Sequence, residues 1–193
     1  MKVRETELPG VLLIEPTVFK DPRGFFYESW SQSRYAKAGI PGPFVQDNVS
    51  CSTQGTLRGL HLQYPHAQGK LVHVLAGEVF DVAVDTRIGS PHFGQWTGVV
   101  LSEKNGYQLY VPPGFAHGFC VISDTALFAY KCTDHYHREA EITVAWNDPD
   151  VAIHWPIAAP VLSKKDEAGR RLETLYSELP KYATSGHLTS ISE

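Results

Sequence analysis

Short apolar runs alternate with turn residues along most of this chain. Between residues 44 and 121 the runs are mostly four to eight residues long, and glycine, proline, asparagine or aspartate separates them. Within 78–84 the side chains follow a period of two, which is typical of a strand. The pattern predicts strands at 11–19, 25–29, 44–49, 57–63, 71–76, 78–84, 96–101, 107–111, 117–121, 126–133 and 142–146.

Two segments have helical character instead. Residues 32–38 precede Gly39, a typical helix-ending residue, and residues 166–175 follow the start signal Ser163-x-x-Asp166. Many strands and few helices predict an all-β protein. We expect a jelly roll, a double-stranded β-helix, with a short C-terminal helical segment.

The size and composition fit one globular domain. The chain has 193 residues, 42% of them hydrophobic, so it can bury one substantial core. We expect residues 1–182 to form this domain and the small, polar residues of 183–193 to form a flexible tail. The first strands precede the barrel core, and we predict that they are exchanged onto a sheet edge of the neighbouring subunit in a homodimer.

The charge pattern narrows the classes of partner. The net charge is −4, and the densest basic pairs, Lys164-Lys165 and Arg170-Arg171, are far from a stripe that binds nucleic acid. The apolar runs are too short to span a membrane, and the N-terminus has no signal-peptide core. Three cysteines without C-x-x-C spacing suit buried thiols in a reducing compartment. We therefore expect a cytoplasmic protein that binds neither nucleic acid nor membrane.

Two spacings resemble the sequence signatures of cupin barrels. Residues 106–117 have the form G-x5-P-x-G-x2-H and end at His117, and Gly55 and His61 have the spacing G-x5-H. A metal-binding cupin would place a second histidine and a glutamate after His61, where this chain has Gln63 and Gln68. Neutral amides bind divalent metals poorly, so we expect the barrel without its metal.

Several side chains in these segments could carry chemistry. If the leucines beside it face the outer core, His61 faces the barrel interior, and His117 faces it from another strand. Lys70 begins an apolar strand, where an inward ammonium could stabilise a developing oxyanion. Tyr130 lies in the middle of a strand, and its role depends on the face that it occupies. Any one of them alone would more commonly be structural.

Two further segments leave alternatives open. His135-Tyr136-His137 resembles a metal-binding H-x-H pattern, but no third ligand is close in sequence. We expect Tyr136 to stack on a flat ligand and the histidines not to bind metal. Asp166 could cap the start of the C-terminal helix, or it could orient the imidazole of His61.

Taken together, these segments resemble the dTDP-4-dehydrorhamnose 3,5-epimerase family. The resemblance extends from Leu12 to about Leu175. It rests on DPRGFFYE (21–28), QDN (46–48), LRGLHLQ (57–63), QGKLV (68–72), GEVFDVAVD (77–85), FGQW (93–96), VPPGFAHGF (111–119), WNDP (146–149) and LSKKD (162–166). It implies a homodimeric barrel without metal or cofactor that epimerises a dTDP-linked 4-keto-6-deoxy hexose at C3 and C5, in dTDP-L-rhamnose biosynthesis. One departure is 167–170, where a proline is expected and absent.

The resemblance also implies roles for individual residues. His61 corresponds to the base, supported by Asp166, Tyr130 corresponds to the acid, and Lys70 would stabilise the enolate. The residues that would contact the nucleotide sugar are Arg23, Glu28, Gln46, Asp47, Asn48, Arg58, His117, Glu141 and Lys165, with Tyr136 stacked on thymine. Arg23 and Glu28 would come from the partner subunit.

The chemistry of these side chains leads to the same reaction. A proton beside a ketone is far less acidic than imidazolium, so a histidine base needs a stabilised enolate, which Lys70 can supply. Inversion also needs an acid on the opposite face of the sugar, because the base would return the proton to its original side. C3 and C5 both flank the C4 ketone, so His61 and Tyr130 could serve both carbons in turn.

Three alternatives compete with this assignment. A metal-dependent cupin would need two donors besides His61 and His117, and a sugar-binding cupin would need no base and acid pair. A narrower epimerase would invert C3 or C5 alone with the same side chains, because small shifts of the ring decide which carbon reaches the base.

Overall fold

The computed structural model describes residues 1–182, which consist mainly of antiparallel strands. The predicted tail, 183–193, lies outside the described residues. The strands are β1 (Lys2–Glu5), β2 (Leu12–Glu15), β3 (Phe19–Asp21), β4 (Gly24–Phe26), β5 (Gln46–Thr53), β6 (Leu57–Gln63), β7 (Lys70–Ala76), β8 (Glu78–Asp85), β9 (Trp96–Ser102), β10 (Gln108–Val111), β11 (Phe115–Val121), β12 (Thr125–Cys132) and β13 (Glu141–Thr143). The helices are α1 (Gln32–Lys37) and α2 (Lys164–Glu167), and Arg138–Ala140 and Leu172–Glu178 are 3-10 segments.

Two antiparallel sheets form the body of the protein. One has six strands in the order β1-β2-β10-β7-β12-β5, and the other has five in the order β13-β6-β11-β8-β9. The sequence neighbours β7 and β8 lie in different sheets, as do β11 and β12, so the chain repeatedly crosses between the two layers. The predicted all-β, cupin-like jelly roll is confirmed.

Apolar side chains fill three layers around the sheets. The first cluster lies between the two sheets and includes Val72, Phe119 and Phe128. A second cluster packs the C-terminal segment onto the outer face of the five-stranded sheet, and a third packs α1 onto the six-stranded sheet. Leu60 and Leu62 belong to the second cluster, as expected from the alternation around His61.

Two predicted elements are divided in the structure. The strand predicted at 11–19 is split into β2 and β3, and the helix predicted at 166–175 is interrupted after α2. The interruption has a tertiary cause, since Gly169 packs tightly against the backbone of Ala145 and Arg170 forms a parallel bridge with Val144. A continuous helix could not make these contacts. The strand β1 was not predicted.

The N-terminal strands β1 and β2 belong to the sheet of their own chain. Strand β1 pairs with β2, and β2 pairs with β10. The hairpin β3–β4 joins neither main sheet within the described chain. Strand β1 lies at the edge of the six-stranded sheet, and the predicted strand exchange stays a prediction. Among residues 1–182, no helix is long and apolar enough to cross a membrane.

Candidate active site

A cavity of about 510 Å³ lies between the two sheets and is lined by residues of both. Its volume is in the range of pockets that bind small molecules. Most of the predicted site residues line it. They are Gln46, Asn48, Arg58, His61, Lys70, His117, Tyr130, Tyr136, Glu141, Lys165 and Asp166.

His61 and Asp166 form a pair on the wall made by β6 and α2. The distance between His61 Nε2 and Asp166 Oδ1 is 2.7 Å, and the amide of Gly59 donates to the same oxygen. The second oxygen, Oδ2, accepts the hydroxyl of Ser163 at 2.5 Å within a capping box that starts α2. The two roles considered for Asp166 are therefore compatible, because each carboxylate oxygen performs one of them.

The surroundings of this pair favour an uncharged imidazole at neutral pH. Burial lowers the pKa of His61, the hydrogen bond to Asp166 opposes that shift, and the charges of Lys165 and Lys70 lower the pKa further. Burial raises the pKa of Asp166, but the hydrogen bonds from His61 and Ser163 outweigh it and lower the value to about 2. A neutral His61 that donates Nε2–H to the carboxylate keeps Nδ1 as the nitrogen that can accept a proton.

A local irregularity in β6 brings Arg58 to the same cavity as His61. In a regular strand, residues three apart point to opposite faces. The pairing of β6 with β11 shifts register between the pairs His117–His61 and Phe119–Arg58. Gly59, which lies at this shift, has a φ of 134° that suits glycine. The Nε–H of Arg58 donates to the hydroxyl of Ser52, which positions the guanidinium.

Lys70 enters the cavity from the start of β7, in the opposite sheet. Its Nζ donates to the backbone carbonyl of His61 at 3.3 Å. Burial lowers the pKa of Lys70, and neighbouring acidic groups including Cys132 and Glu141 partly oppose this shift. Among residues 1–182 the ammonium has this one long hydrogen bond, so it has N–H donors left for a ligand oxygen.

Tyr130 faces the cavity from β12, which also belongs to the six-stranded sheet. The register places it between Asn48 on β5 and Val72 on β7. Burial raises the pKa of Tyr130, so the phenol keeps its proton at neutral pH. Because β6 and β12 lie in different sheets, the imidazole of His61 and this phenol approach the cavity from opposite walls.

His117 is held by a buried carboxylate that the sequence reasoning did not select. Its Nε2 lies 3.0 Å from both oxygens of Asp81, a fully buried residue on β8. Burial raises the pKa of Asp81, and the pairing with His117 opposes that shift. The available signal was a carboxylate among apolar neighbours in the middle of a strand, since such a group requires a partner when it is buried.

Polar side chains form the rim of the cavity. The hydroxyl of Tyr136 donates to Glu141, whose other oxygen accepts Lys165 Nζ at 2.8 Å. The amide N–H of Tyr136 donates to Gln46, and Gln46 in turn donates to Asn48. The Tyr136 side chain is half exposed, so one face of its ring is available for stacking.

The two amides that replace cupin metal ligands hold a loop instead. Gln63 donates to the carbonyls of His66 and His135 and accepts the amide of His137. Gln68 donates to the carbonyl of Asp134. Their polar groups are used by the backbone of the loop that carries Tyr136, so they are not arranged as ligands of a central metal.

Three predicted contacts lie away from the cavity within this chain. Arg23 is exposed in the β3–β4 hairpin and pairs with Asp21, and Glu28 pairs with Arg34. Asp47 points to the other face of β5 from Gln46, where it pairs with Lys131. The period of two along β5 explains why Asp47 is separated from its neighbours.

Comparison with known proteins identifies the family. The sequence model of the dTDP-4-dehydrorhamnose 3,5-epimerase family matches residues 5–174. The chain belongs to this family. A curated family member from Neisseria gonorrhoeae is 53% identical over 171 residues, which are 88% of this chain and 52% of that protein, so the chain spans about half of that relative's length.

Two solved structures extend the comparison. An epimerase from Legionella pneumophila, in complex with dTDP-4-keto-L-rhamnose, superposes with a TM-score of 0.92 at 53% identity, covering 95% of this chain and 99% of that one. The 3'-monoepimerase ChmJ from Streptomyces bikiniensis, in complex with dTDP-quinovose, has a TM-score of 0.87 at 34% identity and covers 92% of each chain. The predicted family and its enzyme class are confirmed.

Proposed function

We propose that this protein inverts C3 and C5 of dTDP-4-dehydro-6-deoxy-D-glucose to give dTDP-4-dehydro-L-rhamnose, in dTDP-L-rhamnose biosynthesis. Family membership supports the reaction. One observation carries the mechanism: the His61–Asp166 pair and Tyr130 face a single cavity from opposite sheets.

His61 acts as the base. Its lowered pKa keeps it neutral at physiological pH, and the hydrogen bond to Asp166 fixes the ring and stabilises the imidazolium that forms. The imidazole removes the proton from C3 or C5, each of which is acidified by the adjacent C4 ketone. The electrons move onto the C4 oxygen and form an enolate.

Lys70 stabilises that enolate. Its ammonium is buried beside the His61 backbone, where little water competes for its charge. A preorganised cation in such a site lowers the barrier by several kcal/mol, since the charge that it meets develops only in the transition state.

Tyr130 returns a proton from the opposite face. Its raised pKa keeps the hydroxyl protonated and available as the acid. Protonation of the enolate carbon from this side, after removal from the His61 side, inverts the centre. His61 then releases its proton to solvent and Tyr130 takes one up, which restores the starting protonation states. After a small movement of the ring, the second carbon undergoes the same sequence.

The rim binds the nucleotide. Arg58 and Lys165 supply cations for the diphosphate, for which guanidinium is suited to two-point contact. Tyr136 stacks on thymine, and the other substrate contacts are Gln46, Asn48, His117 and Glu141. These side chains come from distant segments of the chain, and the fold brings them together around one cavity.

The functional unit is a homodimer in the cytoplasm. The hairpin exposes large apolar side chains at Phe19, Phe25 and Phe26, which a partner subunit would cover. Docking of the hairpin carries Arg23 and Glu28 to the partner's cavity. The cysteines are free thiols, which suits a reducing compartment.

Incubation with dTDP-4-keto-6-deoxyglucose in deuterated water, read by NMR, tests the reaction. We expect deuterium at both C3 and C5 and signals of the inverted sugar, with no exchange in His61→Ala. Absence of label at both carbons would reject the proposal, and exchange that persists in His61→Ala would assign the base to another residue.

Inversion at C3 alone is the second candidate. The similarity to ChmJ supports it, because that 3'-monoepimerase shares this fold at 34% identity. The same experiment separates the two reactions, since a monoepimerase would give inverted product at C3 only.

A further inference from the structure

Three possible metal ligands meet at the side of the cavity rim. One donor atom each from His66, Asp134 and His137 lies within 4.8 Å of the other two. They come from the loop after β6 and the loop after β12. Of the H-x-H pattern at 135–137, only His137 belongs to this cluster; Asp134 directly precedes the pattern, and the fold adds His66 from the other loop.

The fold holds the backbones of both histidines in place. Gln63, itself buried, accepts the amide of His137 and donates to the carbonyl of His66, so one side chain fixes the two loops relative to each other. The imidazoles of His66 and His137 lie in parallel with their centroids 4.0 Å apart.

The carboxylate of Asp134 has one oxygen free for a ligand. Its Oδ1 accepts the amide of His135, and its Oδ2 faces His66 Nδ1 at 3.8 Å. The side chains of His66 and Asp134 are 49% and 38% exposed, so both can turn without disturbing the core. Glu139 lies 3.6 Å from His137 Nδ1, where it can orient that ring.

We propose that His66, Asp134 and His137 form a site for a divalent transition metal such as Zn²⁺. Two imidazole nitrogens and one carboxylate oxygen suit this class of ion, whereas Mg²⁺ and Ca²⁺ prefer oxygen ligands alone. Tetrahedral zinc with bonds of about 2.1 Å needs donors about 3.4 Å apart, so donor atoms within 4.8 Å of one another close by up to about 1.4 Å on binding. Water completes the coordination at this exposed position.

This site is separate from the proposed catalytic residues. His61 and His117 are paired with Asp166 and Asp81 inside the cavity, whereas the metal cluster lies on the loops beside it. The bound ion would cross-link the loop that carries Tyr136 to the loop after β6.

Calorimetric titration of untagged protein with Zn²⁺ tests the site. We expect about one ion per chain and binding at least ten-fold weaker in His66→Gln and in His137→Gln, since each loses one of three ligands. His135→Gln is the matched control, because it alters an exposed histidine of the same loop outside the cluster. It should bind Zn²⁺ within two-fold of the unaltered protein, and Mg²⁺ should not bind at the cluster.

Thermal unfolding gives a second measurement. Zn²⁺ should raise the Tm of the unaltered protein and of His135→Gln but not that of His66→Gln, and all three should share one Tm in EDTA. Unchanged Zn²⁺ affinity in His66→Gln would overturn the proposal. Equal losses in His135→Gln and His137→Gln would also overturn it, since they would place the ion on the H-x-H pair.

Discussion

At the scale of single residues, Asp166 joins the start of α2 to His61, the proposed base. One oxygen accepts the Ser163 hydroxyl in the capping box, and the other meets His61. The carboxylate is thereby immobilised by α2 and can hold the imidazole in one orientation. A longer or rotated helix would place Oδ1 away from β6.

Replacement of Asp166 by Asn tests this coupling. We expect kcat to fall about 100-fold, because the amide neither fixes the reactive tautomer nor stabilises the imidazolium. Since the carboxylate raises the pKa of His61 against the effect of burial, its loss lowers that pKa further. The acid limb of kcat/KM, which lies below pH 6.5 when burial lowers the pKa, should move to still lower pH. A pH–rate profile of both proteins checks it, and a limb that moves upward would contradict it.

Replacement of Lys70 by Met removes the proposed enolate stabiliser while keeping a similar shape. We expect kcat to fall by about 10²–10³-fold with a smaller change in KM, because the ammonium meets full charge only in the transition state. Steady-state kinetics measure the effect. Lys104→Met, in an exposed turn, is the control and should retain normal rates. A change confined to KM would mean that Lys70 only binds the ground state.

At the scale of elements, the register shift in β6 determines the composition of the site. It lets Arg58 and His61 share a cavity that strict alternation would divide between two faces. Gly59 makes the close approach to β11 possible, since a Cβ there would lie 2.5 Å from Gly118 Cα. Backbone atoms cannot withdraw as the end of a flexible side chain can.

Replacement of Gly59 by Ala should therefore be costly. We expect the free energy of unfolding to fall by about 3 kcal/mol, from the clash and from a φ that L side chains avoid. Urea denaturation measures the loss. Gly89→Ala is the control, because Gly89 also has a positive φ but no atoms within 4 Å of the added Cβ. Equal losses in the two variants would show that backbone conformation alone is responsible.

At the scale of the whole molecule, the cavity within one chain lacks some of the predicted substrate-binding residues. Arg23 lies on a hairpin that joins neither main sheet, among exposed phenylalanines. If the hairpin docks on a partner, each cavity contains residues from both subunits. Mixed dimers of inactive variants can then regain function.

Co-refolding Arg23→Ala with His61→Ala tests this arrangement. Arg23→Ala alone should lower kcat/KM about 10- to 100-fold, the worth of a charge-assisted hydrogen bond. In each mixed dimer, one of the two cavities has both His61 and the partner's Arg23. Random pairing makes about half of the dimers mixed, so about a quarter of the normal activity should return. The readout is the epimerisation rate after refolding.

The control mixture combines Lys70→Met with His61→Ala. Both side chains belong to the same cavity of one chain, so every cavity in a mixed dimer carries a defect. We expect this mixture to stay inactive. Recovery there, or none with Arg23→Ala, would contradict an Arg23 contribution in trans.

The sequence alone predicted the strands of the barrel and most of the cavity. The segment 57–63 became β6 unchanged, and the inward position of His61 followed from alternation with apolar neighbours, whereas the face of Tyr130 was left open. These features are local, because period-two patterning and turn residues act over a few positions. The family resemblance supplied the proposed roles, which spacing could not provide.

Only the tertiary structure decided how distant segments combine. It gave Asp166 both of its partners, buried Asp81 against His117, turned Asp47 away from the cavity and brought His66 to His137. It also interrupted the C-terminal helix by a bridge to Val144. Each outcome depends on a register, a strand irregularity or a contact across many residues. Local propensity cannot predict these long-range contacts, because their energies arise only when the two sheets and the C-terminal segment pack together.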